Sequence, residues 1–128
     1  MLKENIFREY DLRGIVDQEI DNDGAYTIGR SFGSYIKERG EEWTVVGYDN
    51  RLSSVDLSSN LIRGLNDSGI NVYKLGLVTT PMYYFMRKHL KSNTGIMVTA
   101  SHNPREYNGY KAYWADGAQV TPPHDKNI

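Results

Sequence analysis

The stretch TGIMVTASHNP, residues 94–104, places a short apolar run directly before a polar loop. An apolar run of this length, bounded by turn-forming residues, is typical of a buried strand. A serine, a histidine and an Asn-Pro step follow it, and Asn-Pro favours the start of a turn. The sequence therefore predicts a buried strand that ends by presenting a hydroxyl beside an imidazole.

Two further strands, each followed by a helix, are predicted before this stretch. The segments WTVVGYD (43–49) and INVYKLGLV (70–78) are short and rich in β-branched residues, as strands are. Apolar residues at helical spacing predict helices over 24–39, over about 54–68 and from Thr80 to about Lys91. The predicted apolar faces are Ala25, Ile28, Phe32, Tyr35 and Ile36 in the first helix, Leu57, Leu61, Ile62 and Leu65 in the second, and Met82, Phe85, Met86 and Leu90 in the third.

The ends of these helices carry residues that suit helix caps. Gly40 and Gly69 are placed to end the first and second helices. Small polar side chains precede each helix and can accept hydrogen bonds from its first backbone N–H groups. The predicted caps are Asn22 or Asp23 for the first helix, Ser53 or Ser54 for the second, and Thr80, followed by Pro81, for the third.

The order strand, helix, strand, helix, strand indicates an α/β protein in which layered helices cover a mixed, mostly parallel sheet. After the SHNP loop, YNGYKAYWADGAQV (107–120) predicts a C-terminal hairpin with its turn at Asp116-Gly117. Ligands of such sheets bind beyond the carboxyl ends of the strands. The polar loops YDNRLSS, TTP and SHNP follow the three strands, and we expect a site there.

Composition excludes several classes of function. The chain has 128 residues, which indicates one domain, and 15 basic against 16 acidic side chains give no basic field for nucleic acid. The absence of cysteine excludes disulfides, thiolate metal sites and a cysteine nucleophile. The charged N-terminus is not a secretory signal, and no run is apolar enough to span a membrane. We expect a cytoplasmic protein.

Ser101 and His102 are the first candidates for chemistry. A serine hydroxyl is a weak nucleophile until a base or a strong electrophile assists it. Neighbouring residues in a chain need not face each other, so adjacency alone does not make a catalytic pair. The common alternative is an ordinary turn with an exposed histidine.

Three cations and one carboxylate are weighed next. Lys111 could return towards the loop of Ser101 and hold a phosphate or transfer a proton, although a lone strand lysine is more often solvated. Arg13 suits bidentate phosphate binding, or an ion pair with a neighbouring carboxylate. Asp49 and Arg51 are interpreted as a structural pair that holds its own loop.

Two other patterns are rejected as sites. Residues 29–33 match G-x-S-x-G, but the nucleophile elbow of α/β-hydrolases needs a strand before it, and here the motif lies inside the first predicted helix. The three histidines, His89, His102 and His124, have no metal-ligand spacing.

Taken together, these segments resemble the α-D-phosphohexomutase family, which includes the bacterial phosphomannomutase/phosphoglucomutases. The matches occur in the family's order and nearly span the chain. A small departure is Arg105, where many relatives carry a second proline. The matching stretches are FREYDLRG (7–14), VVGYDNRLSS (45–54), GLVTTPMYYF (76–85), GIMVTASHNPREYNGYK (95–111) and DGAQV (116–120).

The resemblance implies an intramolecular phosphotransferase that interconverts hexose 1-phosphate and hexose 6-phosphate. Ser101 would carry the phosphoryl group and exchange it with the sugar through a bisphosphorylated intermediate. Mg²⁺ would bind the phosphoserine together with three aspartates, and hexose 1,6-bisphosphate would act as activator. By motif match, His102 and Lys111 would assist proton transfer, Arg13 would contact the phosphoryl group and Tyr10 would line the substrate cleft.

The resemblance also implies a division of labour between domains. Family members have four domains, and residues 1–128 correspond to domain I, without its last element; the metal-binding aspartates and sugar-recognition loops belong to domains II–IV. We therefore expect the chain alone to lack full mutase activity. Its expected partners are a phosphosugar, domains II–IV and, through exposed interdomain faces, a second copy of itself. The alternatives are a non-catalytic anion-binding or interaction module and, as the weakest, a serine hydrolase.

Overall fold

The computed structural model describes residues 7–8, 11–16, 20–90, 92, 94–99 and 107–113. These residues form six strands and three helices, and none of the three helices is long and apolar enough to cross a membrane. In chain order the elements are β1 (Phe7–Arg8), β2 (Asp11–Ile15), α1 (Asn22–Glu38), β3 (Trp43–Tyr48), α2 (Ser54–Asp67), β4 (Asn71–Leu77), α3 (Thr80–His89), β5 (Gly95–Val98) and β6 (Tyr107–Tyr113).

The strands form one mixed sheet in the order β1-β2-β6-β5-β3-β4. β3 lies between β4 and β5 and pairs in parallel with both, as the alternation of strands and helices predicts. β6 runs antiparallel to β5 and β2, and β1 runs antiparallel to β2. The predicted α/β class with a mixed sheet is confirmed. The predicted turn at Asp116-Gly117 lies outside the described residues.

The sequence did not predict β1 and β2. Both strands lie in a charged segment that shows no run of β-branched residues, so no local pattern marks them. β2 is held by its pairing with β6, in which Arg13 lies opposite Gly109 and Asp11 opposite Lys111. Because the residues paired between β2 and β6 are about a hundred positions apart in the chain, the attachment of β2 to the sheet depends on long-range contacts.

Helices α1 and α2 cover one face of the sheet and bury the faces predicted for them. All five predicted residues of α1 are buried, and so are three of the four in α2, with Ile62 partly buried. They pack on Val46, Ile96, Val98 and Tyr110 of the sheet. Helix α3 lies on the other face, where Tyr83 packs with Val45 and Met97. The core therefore has two layers, one on each side of the sheet.

The face predicted for α3 is wrong at Met82 and Phe85, whereas Leu90, also predicted, is partly buried against Val45, Tyr83 and Met97. Met82 is 54% exposed and Phe85 67% exposed, whereas Tyr83 and Arg87 are buried. The Tyr83 ring occupies the space above Gly95, where any Cβ would overlap its hydroxyl oxygen. The Arg87 guanidinium donates a hydrogen bond to the Ser92 backbone carbonyl. The absence of a side chain at Gly95 thus leaves room for Tyr83, and the side of α3 that carries Tyr83 packs against the sheet.

Two of the predicted caps are displaced by one or two residues. Asp21 caps α1 by accepting a hydrogen bond from Gly24 N at 2.7 Å, in place of Asn22 or Asp23. Thr79, rather than Thr80, caps α3 by accepting from Met82 N at 3.3 Å. An N-cap needs extended backbone, which Asp21 and Thr79 both have. Gly40 and Gly69 follow α1 and α2 with positive φ, as predicted.

Close contact between α1 and α2 explains the G-x-S-x-G pattern. Residues 29–33 lie inside α1, so the rejection of a nucleophile elbow is confirmed. A Cβ on Gly29 would overlap the Leu61 backbone carbonyl oxygen, and a Cβ on Gly64 would overlap that of Tyr26. The glycines are therefore needed for the two helix backbones to approach each other.

We expect Gly64→Ala to lower the free energy of unfolding by about 1–3 kcal/mol, because overpacking outweighs the gain in helix propensity. The added methyl group meets backbone atoms of α1, including Arg30 N at 2.9 Å, which cannot move without shifting the helix. Chemical denaturation measures the change. Ser31→Ala, at an exposed position of α1, is the control and should change stability by less than about 0.5 kcal/mol. Unchanged or increased stability in Gly64→Ala would contradict the close packing.

Candidate active site

The carboxyl ends of β3 and β5 lie side by side and lead into two of the predicted site loops. Asp49 N, just after β3, donates a hydrogen bond to the Val98 carbonyl at 3.1 Å. Thr99 N, just after β5, donates to the Gly109 carbonyl of β6 at 2.8 Å. The segments that contain YDNRLSS, TASHNP and YNGYK therefore meet at this edge.

The Asp49 carboxylate accepts four hydrogen bonds at this edge. Its Oδ1 accepts from Arg51 N at 3.1 Å and from Ser54 Oγ at 2.8 Å. Its Oδ2 accepts from Arg51 Nε at 3.1 Å and from Thr99 Oγ1 at 2.7 Å. Each oxygen thus has two donors, which is the full capacity of a carboxylate oxygen in ordinary geometry.

Asp49 and Arg51 form the structural pair that the sequence predicted. The Arg51 side chain is 11% exposed and the Asp49 side chain 21% exposed, so most of both charged groups is removed from water. A charge-assisted hydrogen bond in such a setting is stronger than a neutral one. The pair closes the loop between β3 and α2 on itself.

Asn108 connects β6 to the start of α2. Its side chain is fully buried and its Nδ2 donates to Ser53 Oγ at 2.8 Å and to Ser54 Oγ at 3.0 Å. Its Oδ1 accepts from Gly109 N at 2.9 Å. Ser53 stands at the N-cap position of α2 but makes no capping bond with its side chain. Its hydroxyl accepts from Asn108 instead, so the predicted N-cap position of Ser53 is confirmed but a capping hydrogen bond from its side chain is not.

We call these five residues, Asp49, Arg51, Ser54, Thr99 and Asn108, the Asp49 network. The network joins the segment 49–54 to Thr99 and Asn108, which lie about fifty residues further along the chain. Sequence reasoning found the Asp49–Arg51 pair because its members are neighbours. It missed Ser54, which the sequence assigns to the helix cap although it is five residues from Asp49. It missed Thr99 and Asn108 because they are about fifty residues away in the chain, although all three lie in the motif stretches.

The structure describes only part of the predicted site. Ser101, His102 and Tyr10 lie outside the described residues. Arg13 is described through its backbone in β2, and Lys111 as a half-buried residue of β6.

The strand register brings the positions of Arg13 and Lys111 near each other. Arg13 pairs with Gly109, and Lys111 stands two residues further along β6. Gly109 also accepts the Thr99 N–H, so it lies between Arg13 on one side and the start of the Ser101 loop on the other. Lys111 pairs with Met97, which packs on the α3 face of the sheet. Both predicted cations therefore belong to β6 and β2, the two strands that follow β5 on this side of the sheet.

The α1/α2 side of this edge carries acidic groups. A groove of about 280 Å³ there is lined by Asp21 and Asp56, with Ser53 and Leu52 among its other residues, and by no lysine or arginine. Negative charge disfavours a phosphate in such a groove. Among the described residues, the lining of this groove therefore does not favour a phosphate.

Tyr110, next to Lys111 in β6, is the buried titratable group nearest the site. Its hydroxyl has no hydrogen-bond partner among the residues that the structure describes. Burial raises the pKa of the Tyr110 phenol well above its ordinary value, and the negative charge of Asp21 acts in the same direction. Tyr110 therefore stays neutral and contributes packing rather than a proton.

The described residues do not form a metal site. No group of three or more histidine or carboxylate side chains in this part of the chain could hold an ion. Asp49 is the only carboxylate of the Asp49 network, and its oxygens are already occupied by four donors.

The sequence matches the family described as phosphoglucomutase/phosphomannomutase, alpha/beta/alpha domain I, over residues 4–128. The chain belongs to this family. The three-layer arrangement of helices and sheet agrees with that description.

Individual relatives agree with the assignment to the phosphohexomutase family. A phosphomannomutase/phosphoglucomutase of Pseudomonas syringae pv. tomato is 46% identical over 111 residues, which are 87% of this chain and 24% of the relative. A phosphoglucomutase of Neisseria gonorrhoeae is 46% identical over 107 residues, 84% of this chain and 23% of the relative. The chain spans about a quarter of the length of these relatives.

A solved structure shares the fold. The crystal structure of a phosphoglucomutase/phosphomannomutase family protein from Burkholderia thailandensis superposes with a TM-score of 0.90 at 35% identity. The match covers 99% of this chain and 29% of that protein. The phosphohexomutase resemblance seen in the motifs is thereby confirmed at the level of family and fold.

We expect Tyr110→Phe to keep or raise stability at neutral pH and to weaken the loss of stability at alkaline pH. The pKa of the Tyr110 phenol is higher in the native protein than in the unfolded chain. Its contribution to the free energy of unfolding is therefore complete below about pH 10 and is lost as the pH rises from there through the native pKa. Chemical denaturation of both proteins across this range measures the difference, since the other tyrosines and the lysines titrate in both. The same dependence of stability on alkaline pH in both proteins would contradict the raised pKa of Tyr110.

Proposed function

We propose that this chain is the phosphoserine-bearing domain of a phosphohexomutase, an intramolecular phosphotransferase that interconverts hexose 1-phosphate and hexose 6-phosphate. Ser101 carries the phosphoryl group. The observation that carries the proposal is the Asp49 network, which anchors Thr99, two residues before Ser101 in the sequence, at the carboxyl edge of the sheet. Sites of open α/β sheets are found at this edge.

The proposed transfer follows from the chemistry of the residues in the motif. The Ser101 hydroxyl oxygen attacks the phosphorus of one phosphoryl group of a hexose bisphosphate, and the bond from that phosphorus to the sugar oxygen breaks. The serine proton passes to the departing oxygen with the help of His102 or Lys111. The products are phosphoserine and a hexose monophosphate. In the full cycle, phosphoserine first donates its phosphoryl group to the free hydroxyl of one hexose monophosphate, which gives the bisphosphate and free Ser101. The bisphosphate then reorients, and Ser101 takes the other phosphoryl group in the step just described, which releases the isomeric monophosphate.

Positive charge near the serine supports this reaction. Phosphoryl transfer depends mainly on positioning and on neutralising charge at the equatorial oxygens. Arg13 and Lys111 stand on β2 and β6, the strands that follow Thr99 across the sheet, and the acidic groove lies on the other side. We propose that Arg13 contacts the phosphoryl group, and that Tyr10 lines the sugar cleft.

We further propose that this chain acts as the first of four domains, as in the family. Mg²⁺ would neutralise charge on the phosphoserine. Since the described residues offer no metal site, its protein ligands would come from the other domains, and hexose 1,6-bisphosphate would keep Ser101 phosphorylated. Relatives about four times as long as this chain support the division. The chain alone is then expected to accept a phosphoryl group without turning over hexose monophosphates.

The direct test is the intact mass of the chain before and after incubation with glucose 1,6-bisphosphate and Mg²⁺. We expect uptake of one phosphoryl group by the unaltered chain and none by Ser101→Ala. Ser31→Ala, which changes an exposed serine of α1, is the matched control and should take up phosphate like the unaltered chain. Uptake that persists in Ser101→Ala would contradict the proposal. No uptake by any chain would contradict the expectation that the chain alone accepts a phosphoryl group, and would mean that the reactivity of Ser101 depends on residues of domains II–IV.

Exposed apolar groups on α3 support self-association of the isolated chain. Met82 and Phe85 are three residues apart on the helix and more than half exposed, so they lie on one outward side. Large exposed apolar side chains favour association. We expect the sedimentation coefficient to rise with protein concentration, and the double variant Met82→Lys with Phe85→Lys to suppress the rise. A monomer at every concentration would contradict this.

A further inference from the structure

We propose that Asp49 is a positioning residue for phosphoryl transfer at Ser101, acting through Thr99. The inference rests on the proposed function, because it assigns a role in that reaction. It goes further by naming a residue that never meets the substrate. The observation is the arrangement of hydrogen bonds in the Asp49 network.

The carboxylate connects the end of β5 to a rigid support. Thr99 Oγ1 donates to Asp49 Oδ2 at 2.7 Å, the shortest of the four bonds to this group. The other oxygen accepts from Ser54, whose side chain is buried in the first turn of α2. Asp49 N also donates to the Val98 carbonyl, so main chain and side chain hold the same point. The segment that leads to Ser101 is therefore fixed to both β3 and α2.

The charge of Asp49 matters as well as its shape. An asparagine has one accepting oxygen, and its NH₂ group only donates. The hydroxyls of Ser54 and Thr99 can turn to accept from that group. Arg51 N and Arg51 Nε cannot, and they donate to different oxygens. In either orientation, the NH₂ group of an asparagine at position 49 faces one of these two N–H donors, and no hydrogen bond can form there. The substitution thus loosens the network while the side chain keeps nearly the same volume.

Loosening this point has a consequence for the reaction. The rate of a transfer between positioned groups falls steeply when one of them is displaced by about 1 Å. Thr99 is two residues before Ser101 and makes both a backbone and a side-chain bond at the sheet edge. The substrate need not bind less tightly when the serine is misplaced, so the effect falls on the maximal rate.

The experiment is a double-mutant cycle on the full chain. The variants are Asp49→Asn, Thr99→Val and both together, with Thr99→Ser as the conservative rescue. Thr44→Val is the matched control, since Thr44 lies at the opposite end of β3, is buried and bonds Thr94 Oγ1 at 2.9 Å. It removes the same kind of group from the same strand pair, far from the loop.

Two readouts are measured for every variant. The first is the rate of Ser101 phosphorylation by glucose 1,6-bisphosphate with Mg²⁺ as a function of bisphosphate concentration. The second is hydrogen exchange of the Thr99 amide, which donates to Gly109, relative to amides of α1. Thermal unfolding confirms that each variant is folded at the temperature of the assay.

We expect Asp49→Asn and Thr99→Val each to lower the maximal rate by about tenfold or more, with the half-saturating concentration nearly unchanged. The double variant should be no slower than the slower single one, because both remove the same link. Thr99→Ser should recover most of the rate, and Thr44→Val should match the unaltered chain. Hydrogen exchange of the Thr99 amide should accelerate in Asp49→Asn. It should not accelerate in Thr44→Val.

A purely structural role predicts a different pattern. Equal losses in Thr44→Val and Asp49→Asn, or effects that multiply in the double variant, would overturn the proposal. An unaltered chain that takes up no phosphate would contradict the expectation that the chain alone accepts a phosphoryl group, and the role of Asp49 in that transfer with it. The hydrogen-exchange measurement separates failure of the proposed function from failure of the proposed role of Asp49. It shows whether Asp49 anchors Thr99, and it does not depend on phosphate transfer.

Discussion

The geometry at the carboxyl edge of the sheet depends on the hydrogen bonds that the Asp49 carboxylate accepts. It brings a loop, a helix start and a strand end to one point, and each of its oxygens accepts two donors. Removing one member of a largely buried, charged network leaves the others without partners, which costs more than the lost bond. A fully satisfied network of this kind fixes one arrangement of the three segments.

The packing of the helices supports this point from a distance. Close contact through Gly29 and Gly64 sets the position of α2 against α1. The first turn of α2 then presents Ser53 and Ser54 to Asn108 of β6. The site edge is thus held by the core on the α1/α2 side, and Lys111 pairs with Met97, which packs on the α3 side of the sheet. Rigid elements that carry a loop of functional residues are common in α/β proteins.

Local pattern predicted some elements and failed for others in a way that physics explains. The faces of α1 and α2 follow from helical spacing, because each helix buries one side against the sheet. β1 and β2 carry no such pattern, and the inward side of α3 is decided by Gly95, a residue outside the helix. In the site, Asp49 and Arg51 are neighbours and could be paired from sequence. Thr99, Ser54 and Asn108 meet only through the fold, whereas the motif stretches that contain them identified the family.

The most direct measurement of the central claim is the NMR signal of the Thr99 hydroxyl proton. A hydroxyl that donates to a largely buried carboxylate exchanges slowly with water, so the account predicts a resolved signal at neutral pH with a cross-relaxation contact to Ser54 or Arg51. The same signal should vanish in Asp49→Ala, while the Thr44 and Thr94 hydroxyls are unaffected. A Thr99 hydroxyl that exchanges as fast as an exposed one in the unaltered chain would contradict the account.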